Sequence, residues 1–348
     1  MKKKVVFIIN PISGTTSKAR IPELIDATLD KDLFAYEIRR TERPGHATEI
    51  ACEAKDAGTD IVVAVGGDGT VNEVARALIE SDTALGIIPC GSGNGLARHL
   101  MISMQPRKAI QTLNACEIHD LDYGMINNHP FFCTCGMGFD AVISMKFAET
   151  GKRGPITYVE NVLKEGLRYK PETYEIQDEK GITYQKAFLI SCANASQYGN
   201  NAFIAPQASM SDGLMDVVIM EPFDVIDATQ ISIDMFNKTL DKSSKIKTFR
   251  AKRLHIHRHH PGVIHYDGDP VMAGEDIDIS IHERGIKMIV NPEGDKAQRK
   301  PNFIQSAAAD WMNEISIIRE DLGKRQRQAF ALGKLLQRKL SGLNPWGE

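Results

Sequence analysis

The sequence predicts an α/β chain in which a doubly wound parallel sheet with Gly-rich loops is followed by a β-sandwich-like second half. Three observations predict this. Strand-like apolar runs alternate with amphipathic helical patterns over roughly the first third of the 348 residues. Several of those strands run straight into glycine-rich or polar loops. After about residue 124 the helical patterns give way to short strands with Gly or Pro turns between them, which favour a sandwich or barrel.

VVFIIN, 5–10, reads as the first strand and leads into Pro11-Ile12-Ser13-Gly14. FAYEIRR, 34–40, ends at Thr41, and the amphipathic HATEIACEAKDAG follows. IVVAV, 61–65, enters Gly66-Gly67-Asp68-Gly69-Thr70, and VNEVARALIE opens a helix behind it. LGIIP, 85–89, enters Cys90-Gly91-Ser92-Gly93-Asn94-Gly95, again with a helix pattern after it. Parallel sheets bind ligands beyond the carboxyl ends of their strands, so these loops face one crevice. Glycine lets a backbone approach phosphates closely, and a helix start favours negative charge. Asp68 supplies a carboxylate where a metal–phosphate complex needs one; the alternative is a turn Asp capping the next helix. The P-loop spacing GxxxxGK[ST] is absent, so the nucleotide site is of another kind. Asn72, in the first turn after the loop, is either a nucleotide contact or a cap.

In the second half, PFFCTCGMGF, 130–139, reads as one strand, and YEIQDEKGITYQKAFLISCAN reads as a hairpin turning at 179–181. LMDVVIM, RLHIHRH, VIHYDGD, DIDISIH and IKMIVNP follow as short strands, interrupted by one helical stretch at 226–240. The expected division is 1–124, joined by a returning segment near 286–295; 125–285, β-rich; and a basic amphipathic helical tail, 298–348. The tail reads as a docking or homodimer helix, or as an interfacial membrane helix. A net charge of −3 argues against a nucleic-acid partner. The six cysteines are scattered, as reduced thiols in a cytoplasmic protein are. No stretch approaches the ~18 apolar residues of a spanning helix, which leaves a soluble cytoplasmic protein or, at most, one attached peripherally at the inner membrane face. His255, His257 and His259 share a strand face, but no carboxylate or cysteine pattern in the sequence supports a metal there.

The combination NPISG, T-x-x-x-GHA, GGDGTVNEV and GSGNGLAR resembles the catalytic domain of diacylglycerol kinases, a family that includes sphingosine and ceramide kinases and bacterial lipid kinases. The resemblance covers about residues 3–295. It implies ATP and Mg²⁺, a lipid substrate at a membrane surface, and an all-β lipid-binding domain with the cleft between it and the first domain. It places Asn10, Pro11, Ser13, Gly14, Thr41, Gly66, Gly67, Asp68, Gly69, Thr70, Asn72, Gly91, Ser92 and Asn94 at the nucleotide. His265-Tyr266-Asp267-Gly268-Asp269 matches a DGE-like motif whose last acid accepts the hydroxyl proton, here Asp269, one methylene shorter; the alternative is a plain type I′ Asp-Gly turn. The segment 209–216 implies a second, structural Mg²⁺ held by Asp212 with backbone carbonyls of Ser209 and Leu214. In Gly136-Met137-Gly138-Phe139-Asp140-Ala141, Asp140 orients the lipid headgroup or the ATP-side network, or caps a helix. Gly95 stands where many bacterial diacylglycerol kinases have Asp, which tilts the acceptor toward sphingoid bases. The rivals are another GGDGT kinase, such as an NAD kinase, and a non-catalytic nucleotide-sensing, membrane-binding protein.

Overall fold

A computed structural model describes residues 2–11, 18–150, 166 and 169–292. The described residues up to 292 belong to one compact unit, and the expected tail, 298–348, lies outside the described residues. The chain begins β1 (Lys3–Ile9), α1 (Ile21–Thr28), β2 (Phe34–Arg40), α2 (His46–Asp56), β3 (Ile61–Gly66), α3 (Asp68–Leu78), β4 (Ala84–Pro89), α4 (Gly95–His99), α5 (Pro106–Ala115). β3 and β4 are buried at every position, as central parallel strands covered on both faces must be. The order β2-β1-β3-β4 is parallel throughout. Right-handed crossovers in that order put α1 on one face and α2 and α3 on the other. The direction of winding therefore reverses between β1 and β3, and a crevice opens at their carboxyl ends.

The second half contains β5 (Ile118–Ile126), β6 (His129–Phe131), β7 (Thr134–Gly138), α6 (Phe139–Thr150), β8 (Glu172–Asp178), β9 (Gly181–Ala187), β10 (Leu189–Ala193) and β11 (Met215–Met220). It continues with α7 (Val225–Asn237), β12 (Ile246–Ala251), β13 (Arg253–His257), β14 (Gly262–Tyr266), β15 (Asp269–Ala273) and β16 (Asp276–Ile289). An antiparallel sheet runs β12-β11-β10-β7-β14-β15. Its inner face (Met137, Ile190, Val217, Ile264) packs on Ile176, Ile256, Ile277 and Ile279 of the other sheet in one apolar core, which makes the sandwich.

Residue 288 of the segment expected to return lies beside the first half's sheet: β16 pairs in parallel with β4 at Met288↔Leu85. Two features depart from the sequence reading. DIDISIH and the IKMI of IKMIVNP are not separate strands but lie in β16, which also pairs antiparallel with β5 and β13, so one ten-stranded sheet spans both halves. The run 130–139 is not one strand. It breaks at Phe132–Cys133, because the amides of Phe132, Cys133 and Thr134 turn to a side chain rather than to a ladder.

Candidate active site

The crevice is built from backbone outward. At the end of β1, the Asn10 amide donates to the Val65 carbonyl, and Asn10 Nδ2 donates to Thr70 Oγ1 at 3.2 Å. Thr41, buried at the end of β2, donates its N–H to the Ile9 carbonyl. The buried Lys18 ammonium donates to the Asn10 carbonyl at 2.6 Å, and burial lowers its pKa. Pro11 is exposed just beyond; Ser13 and Gly14 lie outside the described residues.

The two glycine loops touch. A Cβ on Gly91 would lie 2.6 Å from the Gly67 Cα, so only glycine permits this approach. Asp68 staples the loops: its Oδ2 accepts the Asn94 N–H at 2.8 Å and its Oδ1 accepts the Gly95 N–H at 2.7 Å. The sequence suggested a capping role toward the following helix; the helix it caps is α4, one unit further on. The Asn94 side chain closes its own loop on the Gly91 N–H and carbonyl, with Ser92 half-buried between. α3 itself begins at Gly67 without a side-chain cap, so the first-turn amides are available to an anion. Among the described residues outside its own helix and chain neighbours, no atom lies within 4 Å of a Cβ built on Gly69. These features fit a nucleotide's phosphates. They also fit a metal ion held jointly by phosphate oxygens and one carboxylate, since each Asp68 oxygen keeps a second lone pair.

One turn along α3, Asn72 Nδ2 donates to Asp267 Oδ2 at 2.7 Å. Asp267 and Gly268 form the two-residue turn between β14 and β15, both with positive φ. The same carboxylate accepts the Phe132 N–H on Oδ2 and the Cys133 and Thr134 N–H groups on Oδ1, at 2.7–3.0 Å. Burial against these amides pushes the Asp267 carboxyl up to about 6, despite their hydrogen bonds. Asn72 is 5% exposed, and its Oδ1 has no partner among the described residues. Asp269, the residue the sequence offers as the base, sits across the turn, more than half exposed, and accepts from Arg76 Nη2 of α3 at 3.2 Å. Both acids of the turn thus meet α3, Asp267 at Asn72 and Asp269 one helical turn further on at Arg76.

Asp140 belongs to a buried cluster beside this hairpin. Its Oδ2 lies 3.0 Å from His265 Nε2 and accepts from Tyr198 Oη at 3.2 Å. A Cβ on Gly136 would reach Asp140 Oδ2 at 2.8 Å and the Ile190 carbonyl at 2.6 Å, so the glycine makes room for the pair.

In the segment of Ser209, Asp212 and Leu214, the Asp212 carboxylate already has partners of its own. Asp212 Oδ1 accepts the Leu214 N–H, while its Oδ2 faces Arg250 Nη1 at 3.5 Å. Arg250 also contacts Asp216 at 3.1 Å and the Gln207 carbonyl at 3.2 Å, so a cation of the chain's own sits beside the Asp212 carboxylate. The histidine strand does meet carboxylates, which a neighbouring strand supplies: Asp278 lies 2.8 Å from His255 and Asp276 lies 2.8 Å from His257. No metal-holding group of three or more such side chains occurs among the described residues.

The sequence matches the diacylglycerol kinase catalytic domain over residues 4–126 and the YegS C-terminal NAD kinase beta sandwich-like domain over 133–279. It is 27% identical over 295 residues to the "Probable lipid kinase YegS" of Escherichia fergusonii, covering 83% of this chain and 96% of that protein. It is 28% identical over 263 residues to a "Probable lipid kinase YegS-like" protein of Enterobacter sp., covering 74% and 86%. The fold superposes on the crystal structure of a diacylglycerol kinase from Bacillus anthracis with a TM-score of 0.66 at 20% identity, covering 83% of this chain and 97% of that one.

Proposed function

This chain belongs to the diacylglycerol kinase catalytic-domain family, to which the bacterial YegS-type lipid kinases also belong, and from that premise we propose that it transfers the γ-phosphoryl group of ATP to a lipid hydroxyl. The observation that carries the reading is α3 itself. Its uncapped start lies in the glycine loops, and one turn along it Asn72 holds Asp267.

Phosphoryl transfer asks mainly for positioning and charge neutralisation. ATP phosphates lie against Gly66–Thr70 and Gly91–Asn94, with Asn10 and Thr41 at the neighbouring strand ends. Asp68 is the carboxylate that would hold magnesium, which neutralises phosphate charge when bound. An incoming hydroxyl finds two acceptors together, the Asp267 carboxylate and Asn72 Oδ1. Of the four donors on Asp267, only Asn72 Nδ2 is not backbone, so it is the one a hydroxyl displaces. With its pKa near 6, Asp267 is ionised at neutral pH yet basic enough to take the proton. Asp140, with His265 and Tyr198, lines the acceptor side. No helix among the described residues is long and apolar enough to cross a membrane. Attachment to the lipid surface then falls to the basic tail.

The test is labelled ATP offered with diacylglycerol, a sphingoid base and NAD. Label in a lipid is the expected result. Label in NAD would make the protein an NAD kinase, and ATP binding without any turnover would make it a sensor.

A further inference from the structure

Arg76 lies one turn beyond Asn72 on the same face of α3 and is not used by the chemistry above. Its guanidinium reaches the β14–β15 hairpin twice. Nη2 donates to Asp269 Oδ2 at 3.2 Å, and its carbon stands 4.7 Å from the centre of the Tyr266 ring. Tyr266 in turn stacks on His129, with centroids 4.6 Å apart and planes 4° from parallel. Two side chains of one helix thus grip the hairpin on either side of its turn: Asn72 takes Asp267, and Arg76 takes Asp269 and Tyr266.

We propose that Arg76 is a positioning residue that locks the hairpin onto the nucleotide helix and so holds the base at the crossing in place. The proposal rests on the reading of Asp267 as that base. The grip is specific in shape, not only in charge. Arg76 Nε is buried with no partner among the described residues, a costly arrangement that persists only where other contacts impose it. A lysine would supply the charge but neither the fork nor the flat face over Tyr266.

Arg76 of α3 acts on the Asp267 carboxyl through its charge. The buried thiols of Cys133 and Cys135 feel the Asp267 charge too, the first together with Asp68 of α3 and the second together with Asp140 of α6, which meets His265 of the hairpin, while Asp269 flanks the turn. Arg76 is the permanent cation in that set, and it pulls the Asp267 carboxyl down against the burial that raises it. The same helix carries Asp68 in the glycine loops, so a nucleotide ordering the start of α3 also orders the base.

The experiment compares R76A, R76K and D267N with wild type in labelled-ATP lipid phosphorylation from pH 5 to 9. In R76A the acid limb of kcat/KM should move up by about half a unit, with kcat down several-fold and KM for ATP nearly unchanged. R76K should restore the limb but only part of kcat. An unmoved limb in R76A, with D267N inactive, overturns the role of Arg76 and leaves the base standing. Retained turnover in D267N overturns the base assignment, and with it the role proposed for Arg76.

Discussion

Asp68 caps a helix that begins 27 residues later, and this gives it two separable tasks. Asp68→Ala should cost about 1–2 kcal/mol of stability by denaturant unfolding, as lost caps do. It should also cost about 10²–10³ in turnover, as the loss of one charge-stabilising group does. A stability loss with turnover intact would leave it a cap only. Asp267 carries the pH dependence. Its carboxyl is pushed up to about 6, so turnover should fall as pH drops through that value. Stability should run the other way. The folded chain binds this proton more tightly than the unfolded chain, so the contribution is present at low pH and lost as pH rises from about 4 to 6. A pH-rate profile flat from 5 to 7 would contradict this. Asp68 was legible in the sequence because glycines flank it on both sides. Asp267 was not, because its four partners come from residues 72 and 132–134 and nothing local announces them.

At the scale of elements, the glycine loops differ from one another in ways that composition hides. Gly91 is needed because its neighbour is the Gly67 backbone, whereas a Cβ built on Gly69 meets no described atom within 4 Å outside its own helix and chain neighbours. Gly91→Ala should therefore lower stability by about 1–3 kcal/mol, the range for forced overpacking. Gly69→Ala should keep the melting temperature and weaken ATP binding, measured by calorimetry; unchanged affinity would remove that amide from the phosphate site. The parallel strands and the helices behind them were readable, since apolar runs end abruptly at Asn10, Thr41, Gly66 and Pro89. The break at Phe132–Cys133 was not, because PFFCTCGMGF is apolar throughout and the bend is imposed by a carboxylate 135 residues away. The Arg250 contacts yield a further expectation. Chelators should leave the melting temperature of the wild-type chain unchanged, and a marked drop on chelation would restore a metal to the 209–214 segment.

At the scale of the whole molecule, β16 ties the nucleotide half to the sandwich, which places the hairpin over α3. Sequence patterns mark such a strand but not its partners, so the shared sheet appears only once pairing is known. The basic tail gives another expectation at this scale. Truncation after Asp295 should spare activity on detergent-dispersed lipid and reduce it on anionic vesicles; unfolding or loss of oligomeric state would mark it as a packing element instead. The central claim is that phosphoryl transfer occurs where α3 meets the hairpin turn, with Asp267 as the base. Its most direct test is turnover of D267N beside D269N, with labelled ATP, the accepted lipid and matched melting temperatures. D267N should lose about 10²–10⁴ in kcat with ATP affinity nearly intact, and D269N less than about tenfold. The opposite order would return the chemistry to Asp269 and contradict the account.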